Sequence, residues 1–319
     1  MMSNEKAKTA APVSVVIPAH NEEEYIRDCL ESITRQTYPS HLLEIIVVDN
    51  NSNDRTRKIA SEFGVTVLEK SDGLVGSVRN FGVEHSTGEI LVFLDADCVV
   101  PYNWVETGVS FLRSSQKHVF GGVCLVGDSP TYIEKFWLLA SSSPQKDLLG
   151  SCIFIYREDF EKAGLFDETI SSGEDSKLSS TLRAMGYNVH LMEQLSVTHL
   201  GNPKNFWDFI KRQSWHSENY FQNMSNSIKD PTFILVLIWT VTIAFLLFSI
   251  FLSKDAPSKI ALLLIFIIPA VFSLKRVSRS KSPFRNLMNI PQIYTIDFIY
   301  VIGRSIGLTK SLSRIFHNL

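Results

Sequence analysis

Two carboxylates one residue apart, Asp95 and Asp97, close a short apolar run from Ile90 to Leu94. A run of that length suits a strand buried on both faces. An unpaired buried charge is costly, so carboxylates ending such a strand need a partner. Outside the carboxyl end of a parallel strand, that partner is often a ligand in the crevice. Two acidic groups there suit a hard divalent cation carrying a nucleotide diphosphate. A solvated turn explains the pair about as well, so the surrounding segments must decide.

Those segments alternate. Val13 to Ile17 reads as a first strand, left by the turn Pro18-Ala-His-Asn21. Asn21 can cap the next helix, with Glu24 completing a capping box. Ile26, Cys29, Leu30 and Ile33 then form one buried helical face. Glu44 to Val48 is a second strand that runs into Asp49-Asn-Asn-Ser-Asn-Asp54. A helix follows to Phe63 and stops at Gly64. Val65 to Leu68 is a third strand, followed by a helix that carries Arg79-Asn80. The run at Ile90 is the fourth, and Pro101 opens the helix after it.

Four strands alternating with helices predict an α/β fold with a mostly parallel sheet flanked by helices. Asn21-Glu22, Asp49, Arg79-Asn80 and Asp95/Asp97 then gather at one rim. Each has a bland explanation, as a cap or a turn former. Their joint occurrence is harder to explain that way. Beyond about Val119 the alternation loosens, with strands expected at Val119–Val126, Ser151–Tyr156 and Val189–Met192. A helix bears Leu178, Leu182 and Met185, and Glu174-Asp175 in its first turn answer equally to the helix dipole. His199, beside an apolar stretch, reads by itself as a packed histidine.

The chain has 319 residues, 45% hydrophobic and 20% charged, with a formal net charge of -2. This is a globular composition without a nucleic-acid footprint. Cys29, Cys98, Cys124 and Cys152 form no CxxC pair and read as reduced core thiols, consistent with a cytosolic setting. Residues 1–12 form a polar, flexible start without the apolar stretch of a signal peptide.

The apolar excess lies near the other end. Phe233 to Leu252 is twenty residues without a charge, and a helix of that length spans about 30 Å. Ile260 to Leu274 is a second run, short and interrupted by Pro269, with lysines at both ends that can snorkel. Lys275, Arg276, Arg279, Lys281 and Arg285 follow it, so this side is cytoplasmic by the positive-inside rule. A transmembrane helical hairpin over about 233–252 and 260–274 puts residues 13–228 on the same side. Residues 293–316 read as an interfacial or third helix. Pro203 to Met224, helical and aromatic, either packs in a core or lies on a membrane surface.

The ordered set Val-Ile-Pro18-Ala-His-Asn21-Glu22, Val-Val-Asp49, Arg79-Asn80-Phe-Gly82, Phe-Leu-Asp95-Ala96-Asp97, Phe166-Asp-Glu and Gly173-Glu174-Asp175 resembles glycosyltransferase family 2. The resemblance covers roughly Val13 to Trp215, and implies the Rossmann-like GT-A fold. The tail resembles that of bacterial members acting on surface or exported polysaccharides. The activity implied is an enzyme's: inverting, metal-dependent transfer from a nucleotide-diphosphate sugar, a UDP-sugar favoured, to a lipid-linked or glycan acceptor. The location implied is the inner membrane, with a cytoplasmic catalytic domain.

The same resemblance implies residue roles. Asp49 holds the base, with Pro18, Asn21 and Glu22 lining its pocket and Arg79 beside it. Asp95 meets the ribose or the metal's surroundings, with Ala96 next to it. Asp97 ligates Mn²⁺ or Mg²⁺, and His199 is the second protein ligand. Asp175 is the general base, and Glu174 orients the acceptor. Processive members carry Gln-x-x-Arg-Trp where this chain has Lys211-Arg-Gln-Ser-Trp215. Single transfer is therefore expected, with a processive synthase or an inactive sugar-nucleotide-binding scaffold as the alternatives.

Overall fold

The structure, a computed structural model, describes residues 11–114, 117–138, 146–218, 220–221, 224–251, 259–280 and 287–317. Most of the N-terminal stretch 1–12, the loop Ser253 to Ser258, and Lys281 and Arg285 lie outside them. The chain divides into two compact units, residues 1–127 with 145–201, and residues 128–144 with 202–319. The sequence boundary at 228 falls inside the second.

The first unit is built on strands β1 (Val13–Ala19), β2 (Leu43–Asp49), β3 (Thr66–Glu69) and β4 (Ile90–Leu94). Short β5 (Cys98–Val99) follows, then β6 (His118–Gly121), β7 (Cys124–Leu125), β8 (Cys152–Tyr156), β9 (Asn188–Leu191) and β10 (Val197–His199). Seven of them form one sheet in the order β3-β2-β1-β4-β8-β6-β9. The first four are mutually parallel, as the alternation predicts. β8 runs antiparallel to both β4 and β6, which makes the sheet mixed. β5, β10 and β7 form a second, smaller sheet.

Helices cover both faces of the large sheet, which is why β4 reads as an unbroken apolar run. Val15, Ile17, Val92 and Leu94 pack with Ile26, Cys29, Leu30 and Ile33 of α1 (Ile26–Thr34) on one side. The alternate residues Val16, Leu91 and Phe93 pack on the other with α3 (Val75–Glu84) and α6 (Glu174–Ala184). All five β4 side chains are fully buried, each contributing roughly 1.5–3 kcal/mol. Shifting β4 by one residue would exchange both faces, so its register, and hence the place of Asp95, is firmly set. The remaining helices of this unit are α2 (Thr56–Ser61), α4 (Trp104–Ser114) and α5 (Arg157–Lys162).

Two local expectations fail. α1 begins at Ile26 without a side-chain cap. Asn21 instead adopts φ +56 and its Oδ1 accepts the Asn53 N–H at 2.8 Å, bracing the loop after β2. α4 starts at Trp104, whose N–H donates to Pro101 O at 3.1 Å, so Pro101 sits in the preceding turn.

The second unit is helical: α7 (Phe206–Trp215), α8 (Met224–Ser227), α9 (Pro231–Phe251), α10 (Lys259–Arg279) and α11 (Ile290–His317). A π-helical turn, Glu134–Leu138, joins them and packs Phe136 into their core. α10 continues through Pro269, so this apolar helix outruns the stretch expected from sequence. Two helices, Pro231–Ser249 and Lys259–Arg279, are long and apolar enough to cross a membrane. Asp297 of α11 is fully buried. Its carboxylate meets Arg276 Nη2 at 2.6 Å and Ser273 Oγ at 2.9 Å, and the guanidinium stacks 3.8 Å from the centre of the Trp137 ring.

Candidate active site

At the end of β4 the chain turns through Asp95-Ala96-Asp97, with the Cys98 N–H donating to Asp95 O at 3.1 Å. It then enters β5, which pairs antiparallel with β10 so that Cys98 stands opposite His199. This small sheet brings together residues about a hundred positions apart. His199 Nε2 lies 3.3 Å from Asp97 Oδ2. The Leu200 N–H donates to Asp97 O at 2.8 Å, closing the following loop onto the acidic turn. Gly201 completes the cradle, because a Cβ there would collide with the Asp97 carboxylate.

The second cluster centres on Arg79, which is 3% exposed. Its Nη2 donates to Asp95 Oδ1 at 2.7 Å and its Nη1 to Glu174 Oε1 at 2.6 Å. Burial works against the Arg79 charge, but Asp95 and Glu174 outweigh it and hold its pKa above the usual value. Burial pushes the Glu174 carboxyl upward, with Arg79 opposing and Asp175 adding to the rise. The guanidinium passes close against Gly150, where any Cβ would collide with it. The same glycine's N–H donates to Asp175 Oδ2 at 3.0 Å, and the Ser176 N–H to Asp175 Oδ1 at 2.7 Å. Arg79 thus ties the turn after β4 to the first turn of α6, and Gly150 orients the neighbouring carboxylate. Asn80 braces the approach to α6, donating to Phe166 O and Glu168 Oε1, both at 2.9 Å.

A third group lies where β1 and β2 end. Ala19 is in register with Asp49, and Pro18 with Val48. The Asn21 N–H donates to Ser52 Oγ at 2.9 Å and the Glu22 N–H to Thr56 Oγ1 at 2.7 Å, which zips the two loops together. Asp49 is 2% exposed. One oxygen accepts from the Ser52 N–H at 3.2 Å. The other, Oδ1, is buried with no hydrogen-bond partner among the described residues.

Pro18, Asn21, Glu22 and Asp49 therefore form one group, Arg79, Asp95, Glu174 and Asp175 another, and Asp97 and His199 a third. Ala96, 2% exposed, links the last two. Sequence reasoning missed Cys98, Gly150 and Gly201. Gly201 two residues after a histidine was the one visible signal. One guanidinium amid the carboxylates of Asp95, Asp97, Glu174 and Asp175 leaves an excess of negative charge. A carboxylate oxygen and an imidazole nitrogen 3.3 Å apart are a fitting donor pair for a divalent cation.

Comparison with known proteins agrees. The sequence model of Glycosyl transferase family 2 matches residues 14–161. Glycosyltransferase AglE of Haloferax volcanii is 31% identical over 215 residues, which are 63% of this chain and 70% of AglE. The minor teichoic acid biosynthesis protein GgaB of Bacillus subtilis is 26% identical over 181 residues, 52% of this chain but only 20% of GgaB. Among solved structures, the mannosyltransferase PcManGT of Pyrobaculum calidifontis, in complex with GDP-Man and Mn²⁺, aligns with a TM-score of 0.56 at 17% identity. That alignment covers 98% of this chain and 88% of PcManGT, and shows a shared GT-A fold. With the family's motifs gathered at the carboxyl ends of its strands, and a relative matched over most of its length, the chain belongs to glycosyltransferase family 2 and is a glycosyltransferase.

Proposed function

We propose that the chain transfers a single sugar, with inversion and with a divalent metal, from a nucleotide-diphosphate sugar to a lipid-linked acceptor in surface polysaccharide or glycolipid synthesis. The observation that carries this reading is the Asp97–His199 pair, 3.3 Å apart in a cradle that Gly201 leaves open. Asp97 and His199 would hold Mn²⁺ or Mg²⁺. When bound, the ion supplies positive charge against the departing diphosphate.

The rest falls to the chain's own residues. Asp49, whose buried Oδ1 has no partner among the described residues, suits an N–H of the nucleotide base. Arg79 holds Asp95 and Glu174 in place, so the first turn of α6 is fixed relative to the acidic turn. Asp175, whose contacts among the described residues are backbone N–H donors, takes the proton of the acceptor hydroxyl. Attack from the side opposite the leaving group inverts the anomeric centre.

The two long apolar helices support a membrane anchor, and the basic residues from Lys275 onward support a cytoplasmic catalytic unit at the plasma membrane. The teichoic-acid role in GgaB's name supports a surface glycan as product. A UDP-sugar is the favoured donor, and GDP-mannose, which PcManGT holds, belongs in the same screen. Slow donor hydrolysis by the full chain in detergent tests the reading without knowledge of the acceptor. One donor should be hydrolysed with Mn²⁺ and spared with chelator. A blank across all donors, with nucleotide still bound, would favour an inactive scaffold.

A further inference from the structure

We propose that Asp97, Cys98 and His199 together form a second kind of metal site, an O, S, N cage for a thiophilic divalent cation of the zinc and cadmium class. The proposal rests on the reading above in so far as Asp97 and His199 are metal ligands. It adds a sulfur and a different class of ion.

Cys98 and His199 are directly opposed across the antiparallel β5–β10 pair, so their side chains project from the same face. Asp97 adjoins them, and one ligand atom from each of the three residues lies within 4.8 Å of the others. Cys98 Sγ is 3.6 Å from Asp97 Oδ1, and His199 Nε2 is 3.3 Å from Asp97 Oδ2. Tetrahedral zinc, with bonds of about 2.0–2.3 Å, keeps its ligand atoms about 3.5 Å apart. The two contacts to Asp97 use different carboxylate oxygens, and with one atom per residue the three lie within 4.8 Å, so small side-chain rotations bring them to that spacing.

The other cysteines have ordinary interior partners. Cys29 Sγ faces Asp95 O at 3.6 Å, Cys152 Sγ faces Leu195 O at 3.1 Å, and Cys124 Sγ faces Ser151 Oγ at 3.1 Å. Cys98 Sγ instead meets the Asp97 carboxylate.

Mn²⁺ and Mg²⁺ are hard ions that take oxygen and imidazole and leave a thiol protonated. A zinc-class ion forms a metal–sulfur bond instead, and the Cys98 proton leaves to solvent. The two classes of ion therefore compete for Asp97 and His199, but the soft ion has a third protein ligand. It should bind without nucleotide and displace Mn²⁺, so that zinc-class ions inhibit the chain.

The test uses the purified full chain in detergent, free of nucleotide, titrated with Co²⁺ as an optical stand-in for zinc and with Cd²⁺ and Mn²⁺ by calorimetry. Co²⁺ should give the near-ultraviolet charge-transfer band of a thiolate ligand. Cys98→Ser should remove that band and weaken Cd²⁺ at least about 10-fold, the least expected when a group supporting a metal site is lost. Mn²⁺ affinity should hold in the same variant, whereas His199→Gln should weaken all three ions. Should Cys98→Ser fail to fold, a cobalt thiolate band that His199→Gln erases still supports the site. Cobalt binding without a thiolate band, or a band and Cd²⁺ affinity that survive Cys98→Ser, overturns the proposal. Mn²⁺ binding that still depends on His199 would then leave the functional reading intact. Failure of Co²⁺ and Cd²⁺ to bind would overturn the proposal, and the functional reading is tested separately by Mn²⁺-dependent donor hydrolysis.

Discussion

Glu174 and Asp175 are neighbours in sequence, but their surroundings separate them. Glu174 is 5% exposed and locked onto Arg79, whereas Asp175 is half-buried and held by the backbone of Gly150 and Ser176. Asp175→Asn keeps the size of the side chain and removes the proton acceptor. Sugar transfer should fall about 10²–10⁴-fold, on the order of 3–5 kcal/mol in the barrier. The donor dissociation constant should barely change. If the pair serves only the helix dipole, turnover per folded molecule stays near normal and the catalytic role is lost. Arg79→Ala is a different kind of change, since it strands the buried Glu174 carboxylate. It should cost about 3–5 kcal/mol of stability, seen as an earlier denaturant midpoint. An unshifted midpoint would show that the strut is dispensable. The acidic residues were legible because each closes a strand or opens a helix. Arg79 as a strut was not, because its two partners lie 16 and 95 positions away. Cys98 was legible only as an apolar filler, because its pairing with His199 depends on a two-residue strand.

The parallel half of the sheet was readable because each strand is followed by a helix with one apolar face. The antiparallel β8 was not, since nothing local to Cys152–Tyr156 tells the direction of a buried strand. The cap at Asn21 failed for a similar reason: the same side chain serves a cap or a loop brace, and tertiary contact with Asn53 decides. A comparable long-range feature fixes α11 against α7. Gly303 and Gly307, four apart, bring α11 against the α7 backbone, where a Cβ at 307 would collide with Ser214 O. A Cβ at 303 would lie 2.7 Å from Gln213 Cβ and 3.0 Å from Ile210 O. Backbone cannot yield as a flexible side chain does, so Gly307→Val should destabilise the helical unit by about 1–3 kcal/mol or more. Gly127, with open space where a Cβ would go, is the control, and Gly127→Ala should stay within about 0.5 kcal/mol. Thermal unfolding in detergent compares the two, and equal melting temperatures would refute the close α7–α11 contact.

At the scale of the whole chain, composition announced the apolar hairpin, but the charges of the last helix do not reveal their partners in the sequence. Asp297 and Arg304 suggested a helix lying at an interface, yet Asp297 is fully buried against Arg276 and Ser273. An internally satisfied ion pair says nothing about which surface faces water. What does bear on this is the outside of α9 and α10. Leu247, Phe248 and Phe251 on one, and Ile260, Leu263 and Phe266 on the other, stand more than half exposed. An apolar surface of that extent is rare on a soluble monomer. Helices that bury their apolar side chains in a protein core would not leave them outward on both members of the hairpin. Full-length protein expressed in cells should therefore stay in the membrane pellet after high salt and after alkaline carbonate, and dissolve only in detergent. A surface-bound protein held by its basic residues would leave with salt, and one held by a single amphipathic face would leave with carbonate. Protease added to inverted vesicles should cut the catalytic unit, and added to intact cells should spare it. Release by salt or carbonate would end the spanning assignment. Cleavage from outside would reverse the orientation.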